Sequence, residues 1–399
     1  MSEIDVAIVG GGLVGASLAV ALADTSLRVA LIETMPPPRS EPCWDERCIA
    51  LNDASRRIFG VLGVWDAMAV DAAPITATHV SERGRFGVAR FDAREAGVDA
   101  LGYNVPLRAI GAVLWQRLER SGVEMICPAR AESIELGDAS VRLGLGAARG
   151  DAGVPSPSPI SARLVVAADG ARSAVRDLLG VGAETRDYGQ HAIVSAVKTS
   201  RAHRGVAYER FAPDGPLALI PKADDACSLV WTLPSDRVEA MLALSDADYL
   251  ANAHETFGGR LGRFLELGRR WAYPLARVVT SEPTAPRVVF IGNAAQSLHP
   301  VAAQGFNLGL RDVSALAEMI AGGGDPGAPD LLAAYAARRA RDRDRVAGVT
   351  DLMVRVFSNR LPGLAQMRHW GLVAVDLAPG LRDAVMHQHL GHLGLPRAS

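Results

Sequence analysis

The chain has 399 residues, of which 49% are hydrophobic and 22% charged, with a formal net charge of −2. That length exceeds one compact core of usual size and implies two domains or one large α/β unit; the composition excludes a disordered chain, and the charge gives no general pull toward nucleic acid or anionic lipid. Four scattered cysteines (Cys43, Cys48, Cys127 and Cys227) form no C-x-x-C pair, so they read as free thiols of a reducing cytosol, and no metal site is expected.

From the N-terminus, Val6 to Ala23 is uncharged and long enough for a membrane helix or signal anchor. Glu3 and Asp5 stand where a signal peptide carries positive charge, and Gly10 to Gly12 split the run, so it is assigned to the fold. Ile4 to Val9 predicts a buried strand, Leu13 to Ala23 a helix, and Arg28 to Glu33 a second strand ending in an acid, which makes a βαβ unit. Its turn, Gly10-Gly11-Gly12-Leu13-Val14-Gly15, is a G-x-G-x-x-G opening a helix. Gly10 permits the tight turn, Gly12 lets a pyrophosphate approach the backbone, and Gly15 allows close helix–strand packing. The helix N-terminus offers free N–H groups to phosphate. Glu33, 18 residues beyond Gly15, is placed to accept hydrogen bonds from an adenosine ribose. A glycine-rich helix–strand contact is the alternative, and the motif alone does not separate FAD from NAD.

Leu107 to Glu119 predicts a helix, and Val141 to Leu145 and Ser161 to Ala167 predict strands around an exposed hairpin tip, Gly146 to Pro159. After the second of these strands comes Ala168-Asp169-Gly170-Ala171-Arg172-Ser173-Ala174-Val175-Arg176, in which Asp-Gly taken alone is an ordinary turn. Tyr188 to Pro274 changes texture to strands (Ile193 to Val197, Leu217 to Ile220, Cys227 to Leu233) with one helix near Asp246 to Phe257. Arg287 to Ile291 is again a strand, followed by Gly292-Asn293-Ala294-Ala295-Gln296 and a glycine-containing helix start through Gln304, Gly305 and Asn307 to Asp312. Small residues there let a flat ring lie against the backbone, and a helix N-terminus stabilises negative charge on a reduced isoalloxazine. Arg338 to Arg345 mixes signs and reads as a solvated helix face.

The last 50 residues or so predict helices broken at Pro362 and Pro379. Leu361 to Leu395 is amphipathic and packs onto the rest of the fold or touches a partner protein or membrane; His387, His389 and His392 read as a solvated face and not a metal cluster. The expected fold class is α/β, a Rossmann-like FAD-binding domain with an inserted sheet-rich substrate domain and C-terminal helices. The predicted divisions are 1–75, 98–185 and 277–350 for the nucleotide domain, 76–97 and 186–276 for the substrate domain, and 351–399 for the helical region.

In this order and spacing the three motifs resemble the flavoprotein aromatic hydroxylases related to para-hydroxybenzoate hydroxylase. Asp45 to Leu51, Glu209-Arg210-Phe211 with Gly215 to Ala218, and the Gly292 to Gln296 opening resemble more narrowly the ubiquinone-biosynthesis branch, that of the 2-polyprenyl-6-methoxyphenol hydroxylases. The resemblance runs over essentially the whole chain. It implies FAD as cofactor and NAD(P)H as a transient reductant, which suits a chain with a single dinucleotide fingerprint. It implies a polyprenyl phenol and O2 as substrates, with oxygen transferred to the ring through a flavin C4a-hydroperoxide in a water-excluded site. It also implies a cytoplasmic protein that touches other ubiquinone-biosynthesis proteins and, peripherally, the membrane through its C-terminal helices.

Site residues follow from the same resemblance. Gly10, Gly12, Gly15 and Glu33 match the ADP-binding part, and Arg47 and Arg108 match arginines near the FAD. Asp169 matches an Asp-Gly motif that touches the FAD region and helps reduced nicotinamide bind. Asn293 falls where the wider family has an Asp bonded to the ribityl chain. Pro300, Gly305 and Asn307 match the loop around the flavin ring, and Ala303 stands where the branch usually has Gly. His299 and Gln304 are candidates for the phenol's base. Leu219, in the apolar run Leu217 to Pro221 beside Val230 to Leu233, is the expected wall residue over the ring. The alternatives are a related hydroxylase of another ring position or a soluble phenol, and a non-catalytic scaffold that holds FAD.

Overall fold

A computed structural model describes residues 4–35, 44, 46–147, 157–223, 225–297, 304–358, 371 and 378–391. The N-terminal alternation folds as a βαβ unit: Ile4–Val9 and Val29–Ile32 pair in parallel, with Ile8 opposite Leu31, and the helix Leu13–Leu22 crosses between them. Every residue of the second strand is buried, as expected where helices or strands cover both faces of a parallel sheet. Ile160–Ala167 joins on the other side of Ile4–Val9, Val288–Phe290 joins beyond it, and Glu124–Ile126 extends the opposite edge, all in parallel. The antiparallel pair Arg130–Leu136 and Val141–Gly146 is appended through Ile160–Ala167. Strands distant in sequence therefore end side by side, which brings the turns after Val9, Ala167 and Phe290 together at the carboxyl end of the parallel strands. Helices Leu13–Leu22, Leu107–Glu119 and Gln304–Ala321 bury their apolar stripes on one face, through Leu18, Leu22, Ile110, Leu114, Leu310 and Leu316.

The second sheet runs in the order Gln296–Ser297, Trp271–Thr280, Ala183–Thr199, Ala226–Pro234, Gly215–Pro221, Val206–Ala212, Ala77–Glu82 and Val88–Asp92, with Phe264–Leu267 paired beside it. Most of its neighbours are antiparallel, so side chains alternate between two distinct faces. One face carries Ile193, Leu217, Leu229, Trp231 and Leu233, packed under Tyr249 and Phe257 of the helix Asp246–Phe257. That helix starts where the sequence predicts it: Ser245 accepts from the Asp248 N–H, Asp246 and Asp248 sit in the first turn, and Gly258 ends it at φ +87°. The other face of the sheet looks toward the nucleotide-type domain.

Strands Val206–Ala212 and Trp271–Thr280 and the helix Ser235–Ala243 are additions to the predicted elements. The long strand Ala183–Thr199 has a polar, exposed first half and a bulge between Asp187 and Gln190, where Gly189 takes φ +64°. The run Val6 to Ala23 is the first strand and helix, and no helix among the described residues is long and apolar enough to cross a membrane. At the C-terminus Pro379 opens the helix Pro379–His389, since proline suits the first turn; Pro362 lies outside the described residues.

Candidate active site

The dinucleotide turn is built by close approach. Gly10 has φ +106°, and a Cβ there would lie 2.6 Å from the Ala168 carbonyl oxygen; a Cβ on Gly15 would collide with the carbonyl of Gly10. Gly12 is different, with φ −64° and open space where a side chain would stand. That open space faces the cavity, as a pyrophosphate seat requires. Glu33 is held by its own loop: Oε2 accepts from the Gly11 N–H at 2.5 Å, and Oε1 from the N–H and hydroxyl of Thr34, both 2.7 Å, and the N–H of Met35 at 3.0 Å. Each carboxylate oxygen carries two lone pairs, so Oε2, which accepts only one of these bonds, retains one for a ribose.

Two side chains that the motif reading did not single out join the other motifs. Arg176 closes the Asp-Gly segment and donates to Ala171 O at 2.8 Å and Ala294 O at 3.3 Å, so it ties that segment to the Gly-Asn-Ala-Ala turn. Buried Asp312 accepts from the Gly292 N–H at 3.0 Å, Gln296 Nε2 at 2.7 Å and Arg339 Nε at 2.6 Å, which fixes the turn that presents Asn293. Asp169 caps the following helix through Oδ2, which accepts from the Val175 N–H at 3.1 Å, while its Oδ1 is buried with no hydrogen-bond partner among the described residues. Such an orphaned acceptor is costly unless a ligand satisfies it. Asn307 donates to Ala50 O and accepts from the Asn52 N–H and the Ser55 hydroxyl at 3.0 and 2.6 Å, clamping the first turn of Gln304–Ala321 to the strand Cys48–Asn52.

One cavity of about 760 Å³ joins these turns to the second sheet, a volume suited to a small-molecule site. Gly12, Ala168, Gly170, Asn293, Gly305 and Asn307 line one end. The sheet supplies Pro216, Ala218 and Ile220 from one strand, Val230 and Thr232 from the next, and Ala192 and Val194 from the third, all on one face by the observed register. Leu219 is not among them. It is fully buried on the opposite face with Leu217 and Trp231, beneath the helix Asp246–Phe257, so the expectation that it walls the ring is corrected: its neighbours Ala218 and Ile220 are the residues that line the cavity. The strand is apolar on both faces, and alternation therefore puts adjacent residues in different compartments.

Arg47 and Arg108 do not line the cavity. Arg108 pairs with Glu46 at 3.0 Å and Asp71 at 3.6 Å, which hold its guanidinium above its usual range. Arg47 bonds the Tyr273 hydroxyl and stacks 5.8 Å from the centres of the Tyr273 and Trp271 rings, so it steadies a tyrosine that does line the cavity. His299, Pro300 and Ala303 lie outside the described residues, as does the side chain of Gln304.

Two ionisable groups in the lining escaped the sequence reading. Glu209 faces the cavity opposite Ala218, and burial pushes its carboxyl from 4.5 up to about 7. His389, expected on a solvated face, lines the cavity from the C-terminal helix, and burial holds its imidazole below the usual histidine range; its neighbour His387 is exposed. Once the register of Val206–Ala212 is known, the acid stands out at the in-facing position between Ala207 and Phe211; without that strand the sequence carries no signal for it.

A family model described as an FAD binding domain matches residues 3–350. The chain is 38% identical to the ubiquinone hydroxylase UbiL of Rhodospirillum rubrum, over 98% of this chain and 90% of that protein. It is 33% identical to the 3-demethoxyubiquinol 3-hydroxylase of Escherichia coli, over 97% and 98% of the two chains. Among solved structures, p-nitrophenol 4-monooxygenase PnpA from Pseudomonas putida superposes with a TM-score of 0.80 at 18% identity, covering 100% of both chains. A variant of HpxO from Klebsiella pneumoniae complexed with FAD gives 0.75 at 16% identity, covering 99% of this chain and 100% of the other. At those identities the two structures speak for the fold.

Proposed function

The chain belongs to the FAD-binding-domain family, and we propose that it is an NAD(P)H-dependent FAD monooxygenase that hydroxylates the aromatic ring of a polyprenylated methoxyphenol in ubiquinone biosynthesis. The observation that carries this reading is the single cavity that runs from the open side of Gly12 to the apolar face of the inserted sheet. The residues present fit FAD: Gly12 leaves space at a helix N-terminus, the Oδ1 of Asp169 awaits a donor, and Asn293 stands between Gly292 and Ala294 in a turn that lines the same cavity as Gly305. When bound and reduced by NAD(P)H, FAD supplies the activation of O2. Gly10, Gly12, Gly15 and Glu33 hold the adenosine diphosphate half, Asn293 the ribityl chain, and Gly305, Asn307 and Pro300 the ring; Asp169 also helps seat the nicotinamide. Arg47 and Arg108 order the rim.

Ala192, Val194, Ala218, Ile220 and Val230 exclude water from the ring of a bound phenol, which favours oxygen transfer over release of peroxide. In this reading residues 1–75, 98–185 and 277–350 form the FAD-binding domain and 76–97 with 186–276 the substrate domain. The polyprenyl tail needs an apolar route, and we assign contact with lipid or with other proteins of the pathway to 351–399.

The test is product analysis. Protein loaded with FAD and supplied with NADPH, labelled O2 and a short-chain 2-prenyl-6-methoxyphenol should yield a ring-hydroxylated product carrying one labelled oxygen. Peroxide as the sole product with every phenol offered would overturn the hydroxylase reading in favour of an FAD-holding scaffold.

A further inference from the structure

Hydroxylating a phenol requires a group that takes the phenolic proton as the ring becomes electron-rich; the sequence candidates His299 and the Gln304 side chain lie outside the described residues, and no residue of the three motifs on the described lining titrates. Glu209 is the only carboxylate on the described lining of the cavity, and that lining contains no lysine or arginine. We propose that Glu209 is the catalytic proton acceptor: it sits mid-strand in Val206–Ala212, opposite Ala218 and Val80, with its carboxylate turned into the substrate end of the cavity. This rests on the hydroxylase reading above and names a residue that performs part of it.

Position and environment agree. Around Glu209 the neighbouring strands present Thr78 and Val80, Ala218 and Ile220, and Val230, none of which titrates; the one carboxylate on that face of the adjacent strand, buried Glu82, lies two residues beyond Val80, opposite Phe211. The C-terminal helix packs over the same side through Met386 and Leu390, and offers His389 to the cavity; its other titratable groups, Arg382, Asp383 and His387, are half-buried or exposed, with Arg382 paired to Glu95. Alternation turns the side chains of His79 and Arg210 to the opposite face, where Arg83 and Arg260 neighbour Arg210. No charge accounts for the state of Glu209; loss of water alone raises its carboxyl to about 7. A general base works best when its pKa lies near the working pH, because it is then both ionised and basic.

The other ionisable groups of the lining suit the task less. Burial pushes the thiol of Cys48 and the hydroxyl of Tyr208 up, so both keep their protons; the Tyr273 hydroxyl is engaged by Arg47; and His389 is pushed below the usual histidine range, a weaker base.

The step balances simply. The phenol O–H bond breaks, its electron pair remains on oxygen and enters the ring, and the proton goes to a Glu209 oxygen. No electron is gained or lost in this transfer; the oxidant is the O2 of the proposed reaction. Glu209 then returns the proton to water as product leaves.

The first test needs no turnover. With oxidised, FAD-loaded protein and no NAD(P)H, the affinity of a short-chain 2-prenyl-6-methoxyphenol is read from the perturbed flavin spectrum across pH. It should rise as pH climbs through about 7, because the carboxylate accepts the phenol's hydrogen bond more strongly than the neutral acid does. The methyl ether of the same phenol, which has no O–H to donate, should show no rise. Glu209→Gln should flatten the phenol's profile, and Glu209→Asp should restore a titration at a shifted pH.

In turnover, the wild type should show an acid limb near pH 7, and Glu209→Gln should lower kcat by roughly 10²- to 10⁴-fold and abolish that limb. A Gln variant that keeps both its rate and that limb would overturn the proposal. Should that variant fail to hold FAD, the comparison of phenol with ether in the wild type decides alone, and identical profiles overturn it. Phenol affinity that follows Glu209 in a protein hydroxylating no phenol would sink the reaction and keep the acceptor. Hydroxylation with a pH-independent profile would keep the reaction and sink the acceptor.

Discussion

Gly12 and Gly15 are both glycines of one motif, yet a side chain does opposite things at each. At Gly12 the backbone is extended and nothing lies within 4 Å of an added Cβ, so Gly12→Val should fold with near-wild-type stability and lose FAD. At Gly15 the added carbon meets the Gly10 carbonyl, and Gly15→Ala should lose at least about 1–3 kcal/mol by overpacking. Thermal denaturation beside FAD content separates the two, and full FAD occupancy in Gly12→Val would remove the pyrophosphate from that turn. A second pair tests the two faces of one strand. Leu219→Ala empties a buried position and should cost about 2–5 kcal/mol while oxygen transfer stays coupled in the folded fraction. Ile220→Asp brings water to the cavity face and should raise the share of H2O2 formed per NADPH consumed. Coupling lost in the first variant and kept in the second would reverse the assignment. The glycines were legible in the sequence because each has a local backbone reason. The face of Leu219 was not, since Gly215–Pro221 is apolar on both sides and only its tertiary neighbours distinguish them. Glu209 was not legible as a site residue, since Val206–Ala212 carries no strand signal of its own and only the observed register puts its acid on the cavity face.

At the level of elements, the C-terminal helix Pro379–His389 joins three parts of the molecule. Met386 and Leu390 are buried with Phe91 and Leu101, the Ala54 N–H donates to Leu390 O at 3.1 Å, and His389 reaches the cavity. Removing residues 378–399 therefore uncovers an apolar cluster and opens the substrate end while leaving every dinucleotide turn in place. Losing the burial of two large side chains should cost about 3–6 kcal/mol. The truncated protein should still bind FAD and accept electrons from NAD(P)H, but release more peroxide than the full chain. Equal peroxide yields would show that this helix does not seal the cavity. Elements with local signals matched their predicted bounds, as with Asp246–Phe257, which carries a serine cap, acids in its first turn and a terminal glycine. Leu107–Glu119 likewise follows from its apolar spacing. Val206–Ala212 and Trp271–Thr280 are strands because partners flank them; their own sequences, with Glu209, Arg210 and Arg277 among the apolar residues, carry a mixed pattern. Local chemistry specifies caps and turns, whereas pairing across a sheet depends on residues far away in the chain.

Across the whole molecule, two kinds of carboxylate act on stability with opposite sign. Asp325 accepts from Arg287 at 2.8 Å and lies 3.4 Å from Arg163, and these cations hold its carboxyl below the usual range. Its contribution is present above the unfolded-state pKa and is lost as pH falls through the folded one. Glu209 is the reverse. Its folded pKa, about 7, lies above the reference value of 4.5, so between those limits the native state binds more protons than the unfolded state. Stability then falls as pH rises through that window and the deficit levels off above it. The shift corresponds to at most about 3 kcal/mol, less whatever water in the cavity screens. A group that weakens the fold at working pH is what a functional site tolerates, since a base without counter-charge must be kept desolvated to stay basic. Glu209→Gln removes the titration while keeping the shape of the side chain. With FAD saturating, the Gln variant and the wild type should therefore melt at similar temperatures near pH 4.5, and the variant should gain progressively until about pH 7. The final difference should be a few degrees, on the order of 2–4 °C per kcal/mol for a chain of moderate size and less for this one. Differential scanning fluorimetry across pH measures it directly. A constant difference from acid to neutral pH would mean that Glu209 carries an ordinary carboxyl, and the cavity would then lack the desolvation that both its chemistry and its dryness require.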